Sequence, residues 1–380
     1  MATANQRSVE VDFFRGLVLL VIVLDHISGS VLSHVMLHAY AYCDAAEVFV
    51  FLGGYATAAA YCTLAARGEP GAAARRFFKR AWEIYRAYLL TALLMLVAGL
   101  IIMLSGVHTP ILAYTGLPDL QSKPLTTVFN IVSLRNQPYL ASVLPMYACF
   151  ALAAPFAIPL AQRRPLMALS AGVLVWMFAP PLAHMLPSAD PQGWGFNPFA
   201  WQLMFMLGIL CRLHPLTHAF QQSMSGKRLT RLAWTIAIAC AVIKLVLESQ
   251  PEAGHYKQNL AGFRIISFLA LAWLAAQAVR LGWVARIARA WPQVVTVGRH
   301  GLTCFVSGTL ISITADTALR ALAAPPGRAA FAAGLAADFS AIAAMLLVAG
   351  LMQYRQRRMP LPATLPTGLA RAAASPHRVG

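Results

Sequence analysis

Apolar runs of about 20 residues recur along this chain, separated by short polar or basic stretches. They read as helices over about residues 10–33, 43–66, 82–106, 141–161, 165–183, 198–213, 230–248, 262–281, 300–317 and 333–354. A helix of about 20 apolar residues matches a hydrocarbon core of about 30 Å. The runs are rich in Leu and Ala and lack a period-two alternation, so helices are expected rather than a closed barrel. The expected fold is all-α: a polytopic integral membrane protein of about ten spans in a single domain over 1–354. The fifth, sixth and ninth runs are short or broken by proline. Residues 355–380 read as a basic, disordered tail, being rich in proline and small residues without periodicity.

Composition sharpens this picture. The chain of 380 residues is 59% hydrophobic and 11% charged, against about 25% charged in ordinary soluble domains. Its net charge of +17 invites a nucleic-acid reading, but the basic residues sort by loop. Only Lys123, Arg135, Lys257, Arg264, Arg320 and Arg328 fall on one side, and Arg15, Arg86 and Lys244 lie within helices. The others fall on the opposite side, which places both termini in the cytoplasm and removes nucleic acid as a partner. No cleavable signal peptide is expected, because the first run is too long and too charged. The six cysteines are scattered singly, without metal or disulfide spacing, and read as small apolar fillers.

Polar groups inside the runs carry the functional signal. An ionisable side chain in lipid costs about 2.5–3.5 kcal/mol, so it faces a cavity or a partner. The first run, VEVDFFRGLVLLVIVLDHISGSVL, holds Asp12, Arg15, Asp25 and His26. Arg15 and His26 are three turns apart, about 16 Å along one face. Asp12 can pair with Arg15, and Asp25 can support His26 as a general base; a structural ion pair and a hydrogen-bonded histidine are the plain alternative. Asp44 and Glu47 share a helix face near the same end, where they could orient an imidazole, bind sugar hydroxyls or simply favour a helix N-terminus. Arg135 and Gln137, with Asn197, Trp201 and Gln202, supply donors and an aromatic wall for an acceptor at that face. Helix capping by Asn197 and an interfacial belt role for Trp201 are the alternatives.

At the opposite face, the basic loop RRFFKR carries Arg76 and Arg80, and VGRHGL carries Arg299. These suit the phosphates of a cytoplasmic nucleotide, or positive-inside bias alone. His34 and His38 have a metal-pair spacing but no third ligand, so no metal is expected. Buried Asp and His residues also serve proton-coupled transporters, and transport is the competing class. No inverted repeat or paired broken helix favours it.

The motifs RSVEVDFFRGLVLLVIVLDHISGS, CDAAEVFVFLGGYATAAAY, RNQPYLASVLPMY, WGFNPFAWQLMFMLG and VGRHGLTCFVSG, spread from Arg7 to Gly308, resemble the OpgC family. These are membrane succinyltransferases of osmoregulated periplasmic glucans, within the acyltransferase-3-like enzymes. The chain departs from that pattern in reading DHISGS where the family has DHIPxN, and FLGGY where it has FLSGY. The resemblance implies an acyl-CoA-dependent O-acyltransferase, multi-pass in a bacterial inner membrane. It implies no tightly bound cofactor, with succinyl- or acetyl-CoA as co-substrate and a glucan as acceptor. His26 would be the catalytic histidine, supported by Asp25, with Asp44 and Glu47 in the same site. Arg15 and Arg299 would help accommodate the acyl-CoA. Homo-oligomerisation is left open.

Overall fold

The computed structural model describes residues 8–66, 71–246, 253–323 and 325–358, and among these every regular element is helical. The principal helices are α1 Val9–Asp25, α2 Ala45–Ala65, α3 Ala72–Ser105, α4 Val143–Arg163, α5 Pro165–Met177, α6 Pro198–Leu213, α7 Met224–Val246, α8 Gly262–Arg280, α9 Pro292–Arg299, α10 Gly301–Leu322 and α11 Arg328–Arg358. Among the described residues, seven helical stretches are long and apolar enough to cross a membrane: α2, α3, Tyr139–Arg163, α7, α8, α10 and α11. Large apolar side chains such as Leu93, Ile101 and Leu104 on α3 and Trp234 and Ile238 on α7 are exposed, as expected for a surface solvated by lipid tails.

Each predicted run contains a helix, with instructive differences at the ends. The first was expected to reach residue 33 but stops at Asp25. Ser8 caps its start, accepting from the Val11 amide. At and beyond its end, buried side chains from α10 and α11 capture the backbone. Ser312 donates to the Val23 carbonyl, Asp316 accepts from the Ser28 amide at 2.9 Å, and Asp338 accepts from the Val31 and Leu32 amides at 2.9 and 2.8 Å. These bonds hold a turn, so His26 sits at the helix terminus rather than mid-helix. The fifth run breaks at Phe178 into two pieces, where Pro180 and Pro181 cannot supply ladder donors.

The third helix begins ten residues early. RRFFKR is therefore helical, not a loop, and Arg76 and Arg80 each bind Glu83 at 3.1 Å on the same face. Helix α11 likewise runs through Arg358, so residues 355–358 are not part of a tail. Arg7, Arg67 and the expected tail from residue 359 lie outside the described residues.

Glycine permits the two closest crossings. A Cβ on Gly16 would overlap the Val294 carbonyl and one on Gly298 the Asp12 carbonyl, so α1 and α9 touch backbone to backbone. Gly54 of α2 and Gly208 of α6 do the same against Phe205 and Phe51. These crossings fix α1 and α2, the two helices that bring acids and histidine to one end of the bundle.

Candidate active site

At that end lies a cavity of about 690 Å³. Its wall includes Asp25 and His26 at the end of α1, Asp44 at the start of α2, Tyr139 and Ser142 before α4, Phe196 before α6, Lys257 and Arg264 around the start of α8, and Ser312 of α10. Six segments far apart in sequence thus converge on one cavity. The cavity reaches inward to Leu19 and Cys304, and the Arg15 guanidinium lies against Gly301, one turn before Cys304 on α10.

His26 Nδ1 is 2.6 Å from the Ile22 carbonyl oxygen. A carbonyl only accepts, so Nδ1 carries the proton and the neutral ring keeps the Nε2 lone pair for another donor. Asp25, expected to support His26, turns its Oδ1 toward His38 Nδ1 at 3.5 Å. The His38 imidazole is thereby held above its usual value, chiefly by that carboxylate and against the opposing effect of burial. His34 Nδ1 meets the Ser30 carbonyl at 2.9 Å, so each member of the supposed metal pair has its own partner.

Asp44 and Glu47 form a capping box. Asp44 accepts from the Ala46 amide at 2.7 Å, and Glu47 from the Asp44 amide at 2.9 Å. Their remaining oxygens are matched by cations: Arg264 Nε to Glu47 at 2.6 Å, Arg264 Nη2 to Asp44 at 3.1 Å, and Lys257 Nζ to Asp44 at 2.7 Å. Burial pushes the Asp44 carboxyl up, but Lys257 and Arg264 outweigh it and hold the group well below the usual carboxylate range. Glu47 is fully buried and does not line the cavity. Its expected role beside the imidazole is therefore corrected to that of an anchor for Arg264. Lys244 closes this wall, donating to the His38 and Ala41 carbonyls.

The model of the OpgC protein family matches residues 7–357. The chain belongs to the OpgC family. No curated protein and no solved structure matches it. Membership makes the chain a multi-pass membrane protein of the glucan-modifying acyltransferase type.

Within this OpgC family chain, several expected contacts fall elsewhere. Asn197 is buried and caps α6 through the Phe199 amide, while its amide donates to Ala179 and Asn259. Trp201, also buried, donates its indole N–H to the Lys257 and Gln258 carbonyls, so it supports the Lys257 segment from behind. Gln202 ties α6 to α5 through the Gly172 carbonyl at 2.7 Å. Arg135 is exposed, and neither it nor Gln137 lines the cavity. Amides and indoles at helix starts satisfy backbone groups before they serve a ligand. At the far end, Asp12 pairs with Arg299 at 3.5 Å. Arg76 and Arg80 share Glu83. His38 in the cavity wall, and Asp316 and Asp338 behind it, are the residues that sequence reasoning had left out. Cys43 is a buried thiol whose value burial pushes up to about 12, so it is no nucleophile.

Proposed function

We propose that this OpgC family member transfers an acyl group, succinyl by family resemblance, from cytoplasmic acyl-CoA to a hydroxyl of an extracytoplasmic glucan. One observation carries the reading: an imidazole whose Nδ1 proton is fixed on a backbone carbonyl stands in the wall of a cavity, lined in part by charged side chains, large enough for both reacting groups. By the distribution of basic residues the His26 end would face outside and the Arg299 end the cytoplasm, the membrane being a bacterial inner membrane by family resemblance. Arg15 and Arg299 would receive the anionic head of the donor. Arg76 and Arg80 could add phosphate contacts only by sharing with Glu83. The thioester would reach His26 past Leu19 and Cys304.

In this mechanism His26 Nε2 takes the proton of the sugar hydroxyl as its oxygen attacks the thioester carbonyl. A C–O bond forms, the tetrahedral intermediate collapses, the C–S bond breaks, and the departing thiolate takes the proton from the imidazolium. A positioned general base of this kind is worth about 10²–10⁴-fold. The carboxylate of a succinyl group would meet Lys257, Arg264 and Lys244, while an acetyl group would leave them idle.

The test is purified protein in detergent with labelled succinyl-CoA or acetyl-CoA and a linear glucan. Label is expected in the glucan, and His26→Ala should abolish it while membrane insertion and thermal unfolding stay near wild type. Appreciable transfer by the variant would refute the role of His26. Solute counterflow in sealed vesicles without labelled glucan would favour a transporter.

A further inference from the structure

We propose that Tyr139 and Tyr114 form a stacking platform for the acceptor, placing one sugar ring beside His26 and the next at the cavity mouth. The inference rests on the acyltransferase reading and names its acceptor subsite. Tyr139 lines the cavity yet is 57% exposed, and its ring stands edge-on to the His26 ring with centroids 5.9 Å apart. Tyr139 also packs against Tyr114, 52% exposed, with ring centroids 5.1 Å apart at a tilt of 40°. Tyr114 does not line the cavity, so the row of imidazole and two phenols leads from the base outward.

Other tyrosines show what a structural role looks like here. Tyr85 and Tyr147 donate their hydroxyls to the Val132 and Phe49 carbonyls, and the fully buried Tyr88 donates to Ile131. Tyr139 and Tyr114 are instead more than half exposed, each on a short helical turn that the fold pins. Tyr139 opens the turn Tyr139–Ala141, whose first carbonyl accepts from the Ser142 hydroxyl at 2.8 Å. Tyr114 lies in the turn Pro110–Thr115, capped by Thr109. The Thr109 hydroxyl donates at 3.0 Å to Asp316, the same carboxylate that accepts the Ser28 amide beside His26. One buried acid therefore registers the outer tyrosine against the catalytic turn.

The chemistry of the two walls divides the cavity. Asp44, Lys257, Arg264 and Lys244 make one side ionic, suited to a charged or strongly polar group. The Tyr139 side offers an aromatic face, which suits the C–H surface of a neutral pyranose and leaves its hydroxyls free to point at Nε2.

The experiment compares glucose, a linear β-glucan disaccharide and the matching hexasaccharide as acceptors for the full-length protein in detergent, with whichever labelled acyl-CoA supports transfer. Tyr139→Ala should raise the acceptor KM about tenfold for all three. Tyr139→Phe should restore it, because the ring face is kept. Tyr114→Ala should erase the KM advantage of the disaccharide over glucose, and the donor KM should stay within about twofold of wild type. Unchanged acceptor KM in both alanine variants would overturn the platform and leave the tyrosines as interfacial anchors. A matching rise in donor KM that phenylalanine fails to reverse would also overturn it. Absence of any transfer by the wild type would sink the acyltransferase reading along with it, whereas wild-type transfer with normal tyrosine variants sinks the platform alone.

Discussion

Arg264 and Glu47 are joined across the bundle, Nε to Oε1 at 2.6 Å, by helices that start more than 200 residues apart. The pair fastens α8 to α2 at the rim of the cavity, and Arg264 also reaches Asp44 at 3.1 Å. Removing the guanidinium leaves Glu47, with 0% exposure, as a buried carboxylate without its cation. Arg264→Ala should therefore destabilise the protein by about 3–5 kcal/mol, and Arg264→Lys should recover only part, since one ammonium cannot serve two carboxylates in a fork. The double variant Glu47→Gln with Arg264→Met should lie closer to wild type than Arg264→Ala alone. Thermal unfolding in detergent measures all three.

Asp338 makes a comparable prediction for the turn that follows His26. Its carboxylate is the acceptor for the Val31 and Leu32 amides. Alanine there leaves two amides without a partner, at about 1–3 kcal/mol each where water cannot replace it. Asp338→Ala should lower both the unfolding temperature and transfer, because the loosened turn carries the histidine. Asp338→Asn keeps one acceptor oxygen and should fall in between. An alanine variant with wild-type stability and turnover would show that the turn holds without α11.

How much of this was legible beforehand follows from what each signal depends on. Helices across the chain were readable because lipid imposes both length and continuous hydropathy, and the convergence of polar motifs followed from alternating the spans. Partner choice was not readable. Asp25 and His26 are neighbours in sequence, yet the helix ends between them and sends the carboxylate to His38. Asp316 and Asp338 did offer a signal, since each is a lone acid within an apolar run, the criterion that singled out Asp12. Asn197, Trp201 and Gln202 looked like ligand donors because their residue types suit sugars. Only coordinates reveal that backbone carbonyls and amides had already engaged them.

The crossing of α1 and α9 gives a steric prediction. Gly16 and Gly298 face each other so closely that a methyl group on either would occupy the space of a backbone carbonyl, which no rotamer change relieves. Gly298→Ala should force the helices apart, and with them the Asp12–Arg299 pair proposed to help receive the donor. The expected outcome is a sharp loss of folded protein in detergent extracts. Gly350→Ala, where the same atom meets open space, should be silent. Equal yields for the two variants would show that the close approach is not required.

His38 supplies the pH dependence. In the folded protein its imidazole is held above 6.5, first by its bond to Asp25, with burial opposing and Asp44 adding a smaller pull. A group whose folded value is raised contributes stability that is full below the unfolded value, here about 6.5, and lost as pH rises through the folded one. The protein should therefore lose unfolding temperature through this pair as pH rises above about 6.5 and through the raised folded value. His38→Gln removes the titrating ring, so its unfolding temperature should be lower at acid pH and flatter over that interval. Because Asp25 then has no cation opposite it, the difference from wild type should be largest below about pH 6.5 and shrink as pH rises. A difference that instead grows with pH would mean that neutral His38 is the form the fold prefers.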